Sequence, residues 1–190
     1  MKTSEFFDKN DFPEFVEWAA EIGKEMKEIW PALVEQGRLV WLSRIACDER
    51  VFAEPVRRKL ACRLLRETSL LDGRKTWDIL EEDEASRRLV DMIEQYADGA
   101  IPWQALKATC LRMYDNFDNP SEAAKRSIYW CIKLAALHAG NLPDVSLGNV
   151  FYYLEEHDEL VDLSSLVEIV ASLGNPFLKP LPPPKWRPVQ

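Results

Sequence analysis

The sequence predicts an all-α fold, a compact multi-helix array with an extended, proline-rich C-terminal strap. Three observations predict it. Apolar residues recur near a 3.6-residue period through nearly the whole chain. No β-type alternation of useful length appears. Proline, glycine and Asx residues stand where helices start and stop. The spacing gives roughly seven to nine helices, with connections short enough for antiparallel neighbours. No internal repeat at a period of about 20–50 residues argues for a solenoid.

"FPEFVEWAAEIGKEMKEIW" places Phe12, Phe15, Val16, Ala19, Ile22, Met26 and Ile29 at helical spacing. Asp11 is the expected cap and Pro13 fits the first turn. Pro31 is expected to kink or restart this helix, because it lacks a backbone donor. "LVWLSRIACDERVF" is the most apolar stretch and is expected to form a central helix. Pro55 opens "PVRRKLACRLLRE". Asp72-Gly73 predicts a turn, and a short helix is expected at "TWDILEE". "DEASRRLVDMIEQYADG" is amphipathic, with Leu89, Met92, Ile93 and Tyr96 as its stripe and Gly99 at its C-terminal cap. "IPWQALKATCLRMYDNF" restarts with Pro102. "NPSEAAKRSIYWCIKLAALHAG" offers Asn119 or Ser121 as a cap, Pro120 in an early turn and Gly140 as the terminator. "LPDVSLGNVFYYLEEHDELVDLSSLVEIVASLG" holds two helices or one bent one. "NPFLKPLPPPKWRPVQ" carries six of the twelve prolines and is expected to be extended and polyproline-like. The expected organisation is one helical domain, residues 1–174, with the tail, residues 175–190, docked on it.

A chain of 190 residues can bury roughly 70% of its unfolded surface, so it needs neither disulfide nor metal to fold. No apolar run approaches the ~20 residues of a membrane span, and "MKTSEFFDKNDFPEF" lacks the features of a secretory signal. A cytoplasmic protein is expected. The net charge of −8 and pI near 4.9 argue against nucleic acid as a partner. Arg57, Arg58, Lys59, Arg63 and Arg66 spread around more than one helix face and are expected to form a solvated, ion-paired surface. Cys47, Cys62, Cys110 and Cys131 form no CxxC motif, so no zinc site is indicated and core packing is expected.

Three stretches carry a resemblance. "RKLACRLLRE" with Trp-Asp-Ile-Leu downstream, "SRRLVDMIEQYADGAIPWQAL" and "SLGNPFLKPLPPPKW" occur in this order. Together they resemble a family of uncharacterised helical proteins abundant in planctomycete bacteria. The similarity covers roughly residues 57–106 and 173–186. That family's first helix usually holds closely spaced cysteines, whereas only Cys62 stands in it here. The resemblance therefore implies the helical scaffold and the tail, and supplies no chemistry.

The chain contains no GxSxG, GxGxxG or GxxxxGK[ST]. No catalytic residue, cofactor or metal ligand is assigned. His138 is expected to cap a helix C-terminus as a cation. His157, among Glu155, Glu156, Asp158 and Glu159, is expected in a solvated turn. Arg87 and Arg88, with Asp91 and Glu94, are expected on a salt-bridged outer face. These absences, with abundant tryptophan and tyrosine, point to a non-catalytic protein–protein interaction or regulatory module. The candidate contact residues are Trp103, Tyr129 and Trp130, with Phe177, Trp186 and Arg187 of the tail. The partner is expected to be a protein, and a homo-oligomer is compatible. Two alternatives stand beside this. One is an enzyme whose site assembles from Cys62, His138 or His157 with nearby carboxylates. The other is an acidic protein that binds a basic partner. The tail is expected to lie on its own domain through Phe177, Leu178, Leu181 and Trp186, with Lys179, Lys185 and Arg187 facing acidic surface.

Overall fold

The structure is a computed structural model and describes Lys2, Thr3, Phe7 and residues 12–115, 127–141 and 146–179. The expectations on Asp11, Asn119, Pro120, Ser121, Leu181, Lys185, Trp186 and Arg187 lie outside the described residues. The described residues form ten α-helices, one more than the upper expectation: α1 Pro13–Ile22, α2 Met26–Glu35, α3 Leu39–Cys47, α4 Glu54–Glu67, α5 Thr76–Ile79, α6 Glu84–Ala97, α7 Trp103–Asp115, α8 Ile128–Asn141, α9 Ser146–Glu155 and α10 Leu163–Ala171. Among them there is no strand, only isolated bridges such as Leu70 with Val161. Among the described residues no helix is long and apolar enough to cross a membrane.

The centre of the molecule is α4, which packs on α5, α6, α8, α9 and α10. The more apolar α3 lies to one side, against α2, α9 and α10. This corrects the expectation that the most apolar stretch is central. The reason lies in two arginines: Arg57 and Arg58 are buried, at 3% and 0% exposure, rather than solvated. Arg57 donates to the Cys47 carbonyl at the end of α3 (2.9 Å). Lys59, Arg63 and Arg66 do form the outer face, pairing with Asp98, Glu67 (2.8 Å) and Asp91 (2.7 Å) respectively.

The first helical break falls at Gly23, not at Pro31. Glu25 and Glu28 close a capping box that starts α2. Pro31 then sits inside α2 and leaves the Lys27 carbonyl, four residues back, without its helical donor. Asn175 supplies the missing hydrogen, its Nδ2 donating to Lys27 O at 2.8 Å. The "GNPF" segment is built for this. Gly174 has φ +77°, which lets the chain reverse after α10. The Asn175 side chain accepts from Phe177 N (3.0 Å) and starts a 3₁₀ turn, Pro176–Leu178. The tail's first residues are therefore helical rather than extended, because Pro176 follows a capping residue and fits the first turn. Phe177 is buried with its ring 6.2 Å from that of Trp30, edge to face. Phe177→Ala is expected to cost about 3 kcal/mol and Asn175→Ala about 1 kcal/mol in urea unfolding. Values near zero for both would mean that the segment merely rests on the surface.

Gly140 does not terminate α8, which runs through it to Asn141. A Cβ at this position would meet Cys110 Sγ at 2.7 Å and Leu89 Cδ1 at 3.2 Å. The glycine lets α8 approach α6 and α7 closely.

Candidate functional site

The stretches "RKLACRLLRE", with Trp77 downstream, and "SRRLVDMIEQYADGAIPWQAL" meet in arginine–aromatic stacks. Arg58, the first residue of "RKLACRLLRE", has its guanidinium carbon 4.9 Å from the Tyr96 ring centre and 5.4 Å from that of Trp103. It also pairs with Glu54 and donates to the Ala139 carbonyl (2.9 Å). Trp77 lies between Arg66 (5.2 Å) and Arg87 (4.8 Å), and Arg87 Nη2 donates to the Trp77 carbonyl (3.0 Å). Asp91 and Glu94 face Arg66 of α4 rather than Arg87 of their own helix. Trp103 is thus placed inside the scaffold, half-buried on Arg58. Phe177 is likewise placed on the body, against Trp30. These motifs hold helices together.

Tyr129 and Trp130 occupy different ground. They open α8, are half-buried, and stand beside Asp83, the N-cap of α6. Asp83 collects four donors: Ser86 N (3.0 Å) and Ser86 Oγ (2.7 Å), the Tyr129 hydroxyl (3.0 Å) and, as an ion pair, Lys133 Nζ (3.5 Å). Burial pushes the Asp83 carboxyl up, but the donors outweigh it and hold the group below the usual carboxylate range. Burial and the same carboxylate push the Tyr129 hydroxyl up to about 12. Lys133 Nζ lies over both rings, 5.7 Å from that of Tyr129 and 5.4 Å from that of Trp130.

Two clefts of opposite character meet at this cluster. One, of about 650 Å³, is lined by Arg88, Arg112 and Lys133 with Glu84, Thr109 and Met113. Its cations come from three helices, α6, α7 and α8. The other, of about 470 Å³, is lined by Asp78, Glu81, Glu82 and Asp83 with Arg74 and Tyr129.

A third constellation lies in the same first turn of α8. Cys131 Sγ is 2.9 Å from His157 Nε2, and His157 Nδ1 is 3.2 Å from Glu159 Oε1. Cys131 is 6% exposed and His157 8% exposed, which corrects the expected solvated turn. The turn curls the imidazole inward: the His157 carbonyl accepts from both Leu160 N and Val161 N at 2.8 Å. It is also tied to the loop before α5, through Leu71 N to Leu160 O (2.8 Å) and Asp162 N to Ser69 O (2.9 Å).

The other candidates are not brought together. Cys62 is buried and its thiol faces the Val90 carbonyl (3.5 Å). His138 contacts Asn149 Nδ2 (3.2 Å), and burial lowers its pKa, opposing the expected cationic cap. No group of three or more His, Cys, Asp or Glu side chains among the described residues is placed to hold a metal. Sequence reasoning missed Asp83 and Cys131. Asp83 carried a local signal, an Asx three residues before a serine at a helix start. Cys131 carried none, since His157 lies 26 residues away. No protein-family model matches the chain, and comparison with curated proteins and with solved structures finds no significant match.

Proposed function

We propose that the protein is a non-catalytic interaction module that docks a partner protein on the surface where the two clefts meet. The observation that carries the reading is the junction itself: Tyr129 lines the carboxylate-lined cleft, and Lys133, which lies over the Tyr129 and Trp130 rings, lines the cation-lined one. Half-buried aromatics contribute contact area at low entropic cost. The flanking charges then fix orientation and reject partners of the wrong sign. Three cations from three helices, against the single carboxylate Glu84, favour an acidic segment in the cation-lined cleft. Both signs side by side favour a partner of mixed charge over a purely basic one. The described part of the tail, ending at Lys179, lies against α2 and serves the scaffold in this reading.

The test is affinity purification of the tagged full-length protein from its native cells, in parallel with Arg88→Glu and Trp130→Ala. Arg88 is exposed and makes no ion pair with another described residue, so its reversal leaves the fold intact. A stoichiometric partner should be retained by the wild type and weakened by about tenfold or more in each variant. Sedimentation tells whether that partner is a second copy. Unchanged retention in both variants would remove this surface from the reading.

A further inference from the structure

We propose that Cys131 is a nucleophilic thiol, deprotonated by His157 during reaction, whose co-reactant is a small peroxide. The proposal is independent of the interaction reading and stands on the Cys131–His157–Glu159 geometry. A nucleophile, a base within hydrogen-bond reach and a carboxylate on the base's second nitrogen are the parts that thiol activation needs. With the thiol donating to Nε2, Nδ1 carries its hydrogen toward Glu159, which fixes the tautomer. The Leu160 and Val161 amides fix the backbone of the turn by donating to the His157 carbonyl, and the ring itself already contacts Cys131 and Glu159, so the base does not need to be recruited. Cys131 also sits in the first turn of a 14-residue helix, the end whose partial positive charge favours a developing thiolate.

The other three thiols lack this arrangement. Burial pushes Cys47 and Cys62 up to about 12 and Cys110 up to about 11. Neither described histidine other than His157 nor any second base faces them in a hydrogen bond. Burial raises Cys131 too, and Glu156 and Glu159 add to it. The resting thiol therefore keeps its proton, and reaction depends on a base already in place.

Size selects the co-reactant. At 6% exposure Cys131 admits no macromolecular acyl donor. A cleft of about 310 Å³ is lined by Ile128 and Leu160, chain neighbours of Cys131 and His157, but by neither Cys131 nor His157. A reactant must therefore be small enough to reach a nearly closed thiol. In the step, Sγ attacks one peroxide oxygen and the O–O bond breaks. The thiol proton passes through His157 Nε2 to the departing oxygen, which leaves as water or an alcohol. Sulfur is oxidised to the sulfenic acid and the peroxide is reduced.

The full chain is treated with hydrogen peroxide in the presence of dimedone, which traps sulfenic acids, and each cysteine peptide is followed by mass spectrometry. Cys131 should label at least ~10-fold faster than Cys47, Cys62 or Cys110, and His157→Gln should slow it by ~10-fold or more. Glu159→Gln, at an exposed carboxylate, should slow it by a smaller factor of about three without changing the circular dichroism spectrum. Labelling of Cys131 no faster than the other thiols would overturn the proposal. So would unchanged rates in folded His157→Gln, or in Glu159→Gln where the first variant does not fold.

Discussion

Arg58→Ala is expected to lower stability by about 4 kcal/mol, a large share of the roughly 5–15 kcal/mol that holds a domain of this kind. Three losses combine. A buried side chain's volume is vacated between Tyr96 and Trp103. The desolvated cation–π contacts, worth about 2 kcal/mol, disappear. The Ala139 carbonyl loses its 2.9 Å donor inside the core. Two further variants separate volume from charge. Arg58→Lys keeps the charge but not the planar fork, and is expected to cost about 2 kcal/mol. Arg58→Met keeps most of the volume and removes the charge. Urea unfolding of the three variants reads the difference. A methionine variant as stable as the wild type would show that the guanidinium fills space and nothing more, as happens for some buried ions replaced by apolar residues.

Asp83→Ala is expected to cost about 3 kcal/mol near neutral pH. Loss of the α6 cap accounts for about 1 kcal/mol and the stranded Ser86 and Tyr129 donors for about 2 kcal/mol more. The effect should depend on pH. The folded carboxyl sits below its unfolded value of about 3.9, so its contribution is complete above about pH 5 and fades as pH falls through the folded value. The stability gap between wild type and variant should therefore shrink in acid. A gap that stays constant down to about pH 2 would assign the effect to shape rather than to the charged acceptor. Asp83→Asn keeps one acceptor for the cap and should recover part of the loss with a flat acid profile.

Local pattern revealed α6 almost completely. Leu89 and Ile93 are fully buried, Met92 and Tyr96 pack on the core, and Gly99 has φ +74° where a C-terminal cap requires it. The helix start at Pro13 and the turn at Gly73 are equally readable, because proline and Asp-Gly act within one turn of themselves. Legibility failed wherever a charged residue is buried by partners distant in sequence. Arg57 and Arg58 look like solvated residues until Tyr96, Trp103 and Ala139 are brought around them. His157 looks solvated because four of its near neighbours are acidic, yet the turn at 157–161 rolls it onto a thiol from another helix. Propensity alone places the break in the first helical stretch at Pro31. Tertiary structure overrode it, because a donor from Asn175 makes the proline tolerable.

That hydrogen bond has a consequence for the order of events during synthesis. Lys27 leaves the ribosome long before Asn175, which follows it by 148 positions. During that interval the carbonyl freed by Pro31 lacks its Asn175 donor, and Trp30 lacks the Phe177 ring that later packs against it. The final surroundings of α2 therefore exist only once "GNPF" has been made, after every helix between them.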